Sequence, residues 1–154
     1  MLNELVNFIM YLVYIPIIII IHELGHAAFV LFFGRDVKEI SVGMGDELFR
    51  IKKFVVKKYN WWTGYCAWGN IDSLAAFKKL LIYLGGIIFN LITATLVWAY
   101  GDVQYADWYR AFIIASFFSA LINIIPFKFP SLKFETDGLQ CIRLLSSLQK
   151  NVLK

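Results

Sequence analysis

His22-Glu23-Leu24-Gly25-His26 sets the reading of this chain. Two histidines four apart on a helix share one face, one turn apart, so both imidazoles reach a single metal ion. The glutamate between them suits a general base acting on a water at that ion. The flanks define the setting: Tyr11 to Ile21 before the motif and Ala27 to Phe33 after it are almost wholly apolar. Ionisable groups inside a hydrocarbon-length helix cost roughly 2.5–3.5 kcal/mol each on insertion scales and are functional by default. Two core histidines and a stray glutamate would put three such groups in one turn to no purpose, and that bland alternative is set aside on its cost.

Beyond the motif, hydrophobic residues make up 60% of 154 residues, well above the roughly 45–50% of soluble domains. The expectation is an integral membrane protein forming one domain over residues 1–154. A net charge of +4 raises nucleic-acid binding, but no basic-aromatic module is present. The positive charges stand beside apolar spans, where the bilayer accounts for them. Cys66 and Cys141 form no metal-binding pair by spacing and are expected reduced on the cytosolic side. Cys141 follows Asp137 by one helical turn, which leaves a place near the metal open. A cleavable secretory signal is rejected: there is no basic leading segment, and the apolar run continues through the motif to Phe33.

The first span is expected at about 5–33, with a kink at Pro16. His22 then lies roughly 25 Å along from Leu5, in the far third of the bilayer. Arg35, Lys38, Arg50, Lys52, Lys53, Lys57 and Lys58 follow and mark the cytoplasmic side, placing the N-terminus outside. Within about 37–58, short alternations and Gly43-Met44-Gly45 predict strands with a glycine-permitted bend. This is either a surface hairpin or a strand edge near the metal that pairs with an extended peptide. Trp61, Trp62, Tyr65 and Trp68 read as an interfacial belt, with a substrate-facing role as the alternative.

A second span is expected at about 80–100, anchored by Lys78 and Lys79, with Gly86-x-x-x-Asn90 allowing close helix packing and a buried hydrogen bond. Asp102 and Asp107 belong to an outer loop. The third span, about 108–127, ends near Asn123 and Pro126. Pro126 and Pro130 predict irregular backbone from Asn123 to Thr136, tolerated at membrane depth only where protein buries it or it lines a wet cavity. Asp137-Gly138 opens a last helix, about 138–150, with Leu139, Ile142, Leu145 and Leu148 on one face. It is too short and too charged to cross and is expected to lie at the interface.

The chain has only two histidines, so a third protein ligand must be Asp, Glu or Cys. Asp102 and Asp107 fall on the wrong side, and Asp36, Asp46, Glu47 and Asp72 read as solvated. Glu135 and Asp137 remain. Asp137 is favoured because a helix starts beside it and the next glycine lets backbone come close.

In this order the chain resembles the site-2 proteases, which are intramembrane zinc metalloproteases. The resemblance rests on His22 to His26, the bend at Gly43 and Gly45, Thr63-Gly64-Tyr65, Gly86-x-x-x-Asn90, and Asn123-x-x-Pro126 followed by Asp137-Gly138. It implies an all-α membrane protein: a three-transmembrane-helix core with a small membrane-reentrant β-loop and a C-terminal interfacial helix. It further implies zinc held by His22, His26 and Asp137, with Glu23 as the catalytic base. Asn123 and Pro126 would shape the substrate cleft, with Gly43, Gly45 and Asn90 also on the substrate side. The implied partners are a transmembrane or membrane-associated peptide substrate, the bilayer and a regulatory membrane protein, with no nucleic acid. One departure stands out: Phe127 to Thr136 is longer than the family's usual spacing. The competing reading is a non-proteolytic membrane metal- or peptide-binding protein, an immunity or sensor module on the same fold. The intact Glu23 argues against it, since holding metal needs only the ligands. A zinc transporter would carry further intramembrane acidic or histidine residues along a path, and there is one cluster.

Overall fold

The computed structural model describes residues 2–129 and 134–152. Pro130, one of the two prolines expected to break the chain after the third span, lies outside them. Helix α1 (Leu2–Phe32) has 31 residues, about 46 Å at 1.5 Å per residue, enough to cross a hydrocarbon core of about 30 Å with tilt. Pro16 sits inside it without ending it. Helix α2 (Ala76–Tyr100) follows the sheet, and a 3-10 turn (Val103–Tyr105) leads into α3 (Ala106–Ile124). Among the described residues, Phe8–Phe32 and Ala76–Tyr100 are long and apolar enough to cross a membrane. The expected third span is a shorter helix of 19 residues that carries Asp107 and Arg110 near its start.

The outward faces are apolar. Leu12, Val13, Leu31 and Phe32 of α1, Ile92 and Leu96 of α2, and Phe117, Phe118 and Leu121 of α3 are all exposed. Belts of this size in water would be a standing liability, while lipid tails cover them at no cost.

Strands β1 (Val37–Ile51) and β2 (Phe54–Trp68) form an antiparallel two-stranded sheet. Each strand bends back on itself. Gly43 and Gly45 take φ +86° and +85°, and Asn60 takes φ +57°, the left-handed region that a glycine enters without penalty. As a result Ile40, Ser41 and Val42 each have two partners, pairing with Cys66, Tyr65 and Gly64 and also with Phe54, Val55 and Val56. The first half of β1 therefore lies between the two halves of β2. The loop expected at about 37–58 is thus too short: the second strand continues to Trp68 and takes in the aromatic stretch read as an interfacial belt. Val37, Ile40 and Cys66 of the sheet pack with Ala27 and Val30 of α1 and Ile82 of α2 in one buried cluster, which seats the sheet on the two helices.

Of the segment expected to be irregular, Ile125 to Phe127 form no regular element, and two short strands follow. β3 (Lys128–Phe129) pairs with β4 (Phe134–Glu135), and Thr136 closes the base of this hairpin. The Thr136 N–H donates to the Phe127 carbonyl at 3.2 Å and its hydroxyl to the Ile125 carbonyl at 2.7 Å. Lys128, at 2.8 Å, and Arg143 both pair with Glu135, tying the hairpin to α4 (Asp137–Val152). Hydrogen bonds from these two cations hold the Glu135 carboxyl below the usual carboxylate range. Helix α4 buries Cys141 and leaves Ile142, Leu145 and Leu148 exposed beside its polar face.

Helices α1 and α2 meet at Gly25 and Gly85. A Cβ on Gly85 would stand 2.6 Å from the Gly25 carbonyl oxygen, and a Cβ on Gly25 would collide with the Gly85 carbonyl. The glycine inside the His22–His26 motif is therefore what lets α2 lie against it. Gly85→Ala forces the two backbones apart, at an expected cost of about 1–3 kcal/mol for an overpacked contact. A lowered midpoint of thermal unfolding in detergent checks this. An unchanged midpoint would mean that the helices are not packed here.

Candidate metal centre

The polar residues of α1 gather on the side facing α2 and the sheet, and α4 delivers its first residue to the same point. Gly138 makes this delivery possible: a Cβ there would run into the Ile124 backbone, so α4 can start against the end of α3 only with glycine second. His22 Nε2 lies 3.1 Å from Asp137 Oδ2, and His26 Nε2 lies 3.4 Å from Asp137 Oδ1. All three residues are buried, at 4%, 4% and 5% exposure. One ligand atom from each lies within 4.8 Å of the others.

Three observations test whether these residues suit a metal ion. Asp137 Oδ2 is buried and takes no hydrogen bond among the described residues, a costly state for a carboxylate without a cation. The separations of 3.1 Å from His22 Nε2 to Asp137 Oδ2 and 3.4 Å from His26 Nε2 to Asp137 Oδ1 are each close to the roughly 3.3 Å between ligand atoms in a tetrahedral site with bonds near 2.0–2.1 Å. Finally, His26 Nδ1 lies 2.7 Å from the Ile82 carbonyl. A carbonyl only accepts, so the proton sits on Nδ1 and the Nε2 lone pair faces the cluster. Two imidazoles and a carboxylate are a donor set that zinc accepts. The residues fit.

Glu23 stands beside this group without belonging to it. Its carboxyl is turned towards β2, against the Gly64 backbone. A Cβ on Gly64 would sit 2.6 Å from Glu23 Oε1, so β2 passes this close only where it has no side chain. Two cavities meet here. A polar cleft of about 580 Å³ runs between the sheet and the start of α4, with Gly43, Gly45, Lys57, Tyr65, Glu135 and Gln140 on its walls. A mostly apolar groove of about 470 Å³ runs between α1 and α3, walled by Ile15, Ile19, Ala115, Phe118 and Trp62 among others. His22, Glu23, Gly64 and Asn123 line both.

The structure thus brings together His22, Glu23, His26 and Asp137, and places Asn123, Gly43 and Gly45 on the cleft. Asn123 donates through Nδ2 to the Ser119 carbonyl at 3.0 Å. Pro126 is exposed at the end of α3 and is not on either wall, and Asn90 is fully buried behind His22. Of the rival ligands, Glu135 lines the cleft but is engaged by Lys128 and Arg143, and Cys141 is buried outside the ligand group. Tyr65 and Trp68, read from the sequence as an interfacial belt with a substrate-facing role as the alternative, line the cleft, while the Ile82 carbonyl behind His26 escaped the sequence reading. Thr63-Gly64-Tyr65 pointed to the first, but a main-chain carbonyl leaves no mark in a sequence.

The pattern of peptidase family M50 matches residues 10–125, three quarters of the chain and the whole His22–His26 segment. A Bacillus subtilis (strain 168) protein named "Uncharacterized membrane protein YwmF" is 26% identical over 147 residues, covering 93% of this chain and 91% of its own length. A Borreliella burgdorferi protein named "Putative zinc metalloprotease" is 32% identical over 109 residues. That alignment covers 54% of this chain and 24% of the relative, so the chain spans about a quarter of it. Family M50 proteases are zinc metalloproteases, in accord with the donor set assembled here. Two apolar helices of spanning length and a relative named as a membrane protein agree on the setting. This membrane protein belongs to peptidase family M50, the site-2 protease family.

Proposed function

We propose that the chain is an intramembrane zinc metalloprotease that hydrolyses a peptide bond in or next to a transmembrane segment. The observation that carries this reading is the position of Glu23. It adjoins a buried three-residue ligand set and stands where an apolar groove and a polar cleft meet. A substrate crossing that junction would keep its membrane-embedded limb against Ile15, Ile19 and Phe118 and its polar limb between the sheet and α4.

His22, His26 and Asp137 would hold the zinc, which when bound supplies Lewis acidity and lowers the pKa of a water towards 7. Glu23 would take a proton from the attacking water as it adds to the scissile carbonyl carbon. It would then return the proton to the amide nitrogen as the C–N bond breaks, giving a carboxylic acid and an amine, which become a carboxylate and an ammonium by proton transfer. A helical substrate hides its carbonyls in its own hydrogen bonds and must unwind first. Gly64 to Cys66 of β2 pair with β1 on one side and line the cleft on the other, so an extended peptide would pair along that open edge. Asn123, on both cavity walls, would orient it. We place three spans across the bilayer, α1 to α3, with the N-terminus outside. The basic stretch from Arg35 to Lys58 then faces the cytoplasm, with the site near that face. A membrane partner controlling entry to the groove is compatible with this arrangement.

Metal removal tests the reading. Purified protein in detergent should cleave a generic single-span substrate, lose that activity on stripping with 1,10-phenanthroline, and regain it on adding about one equivalent of zinc. Cleavage that survives complete removal of metal would refute the proposal.

A further inference from the structure

Asn90 was expected on the substrate side, yet it is 0% exposed and lies at the back of His22. Its Nδ2 is 3.3 Å from His22 Nδ1 and 3.1 Å from Ser119 Oγ, while its Oδ1 is buried with no hydrogen-bond partner among the described residues. Gly86, one turn earlier on the same face of α2, lies flat against the His22 ring; a Cβ there would enter the imidazole. The Gly86-x-x-x-Asn90 spacing therefore builds a slot for a ligand ring. Gly86 supplies the room, and Asn90 supplies the polar contact at the ring's far nitrogen.

The chemistry of the ring fixes which end of the amide must face it. His22 Nε2 points at Asp137 and the ligand cluster. A nitrogen that binds metal offers its lone pair, so the ring proton is then on Nδ1 and requires an acceptor. The two ends of an amide are alike in shape, and a half-turn of the Asn90 side chain exchanges them. That half-turn brings Oδ1 to His22 Nδ1–H and to the Ser119 hydroxyl, both of which can donate. Either orientation leaves one end of the amide without a partner, so the proton on His22 sets the choice.

We infer that Asn90 is a positioning residue for the metal centre: steadied by Ser119, it accepts the His22 Nδ1 proton and thereby fixes Nε2 as the ligating nitrogen. The inference rests on the metal-site part of the proposed function and not on turnover. The link spans three helices, His22 on α1, Asn90 on α2 and Ser119 on α3. Ser119 also lines the apolar groove, so the ring is braced against the groove's own wall.

The test is zinc affinity by chelator competition on the full chain in detergent, for wild type, Asn90→Leu and Asn90→Asp. It is joined by nitrogen-15 spectra of the zinc-loaded wild type. Only two histidines are present, so the ring signals are assignable. Asn90→Leu should weaken zinc binding about 10–100-fold, the usual effect of losing an outer-shell partner, and Asn90→Asp, which keeps an acceptor, should restore it to within about threefold. The spectra should show His22 protonated at Nδ1 and ligated through Nε2. The inference is overturned if Asn90→Leu binds zinc as tightly as wild type, if Leu and Asp weaken it equally, or if His22 ligates through Nδ1. The spectra need no variant, so a misfolded Asn90→Leu does not protect the idea. Because affinity is read without substrate, a chain that binds zinc but never cleaves would sink the protease reading and leave this one standing.

Discussion

Glu23→Gln should reduce cleavage by about 10²–10⁴-fold, the usual contribution of a positioned general base, while the protein retains its zinc. The substitution preserves shape. A glutamine amide is nearly isosteric with the carboxyl and fills the same space against Gly64 of β2. What is lost is the ability to take a proton from water at neutral pH, because an amide oxygen is far too weak a base. Zinc content should not change, since Glu23 is outside the group formed by His22, His26 and Asp137. The measurement is an initial rate on a single-span substrate together with zinc per chain on the same sample. Zinc loss in Glu23→Gln would make Glu23 a ligand and overturn its assignment as base. A wild type and variant equally active in the cell, with no cleavage by either, would favour a binding module that keeps the fold without turnover.

How much of this could be read without coordinates depended on the range of the interactions involved. The His22–His26 pair and its apolar flanks were legible because helix periodicity is local: four residues fix one turn, and burial of three ionisable groups has few explanations. Gly43 and Gly45 were legible as a bend for a similar reason, since a positive φ has a short list of tolerant residues. The extent of β2 was not. Trp61, Trp62 and Tyr65 are exposed while Thr63 and Cys66 are buried, and aromatic residues next to a span usually mark an interface. Only the pairing of Gly64, Tyr65 and Cys66 with Val42, Ser41 and Ile40, more than twenty residues away, makes that stretch a strand. The β3–β4 hairpin escaped for another reason: a proline reads as a break, and the bonds that restore order come from the Thr136 side chain and from Arg143 on the next helix. Gly86 and Asn90 stood out as a pair at helix-packing spacing, and both lie against His22. Which of several partners they serve depends on helix packing that no local pattern encodes.

Asp137→Ala should weaken zinc binding by more than about 100-fold, beyond the ceiling expected for an outer-shell partner, whereas Glu135→Ala should leave it unchanged. The sequence held these two carboxylates as rivals two residues apart, and the structure gives them opposite surroundings. Glu135 has Lys128 and Arg143 and is already neutralised by them. Asp137 is buried, its Oδ2 takes no hydrogen bond among the described residues, and its two oxygens lie 3.1 and 3.4 Å from the imidazole nitrogens of His22 and His26. A buried carboxylate so placed destabilises the metal-free chain, and this gives the variant a second, opposite signature. Stripped of metal, Asp137→Ala should unfold no earlier than wild type, and it should gain little when zinc is added. Wild type should gain about 2.7 kcal/mol at a free zinc concentration 100 times its Kd, since a ligand that binds only the folded state stabilises it by RT ln(1 + [L]/Kd). Thermal unfolding in detergent with and without zinc reads both effects at once. If Asp137→Ala is strongly destabilised without metal and binds zinc as wild type does, Asp137 is a structural residue at the start of α4. The third ligand must then be sought elsewhere on the cleft, whose wall carries two other carboxylates, Glu23 and Glu135.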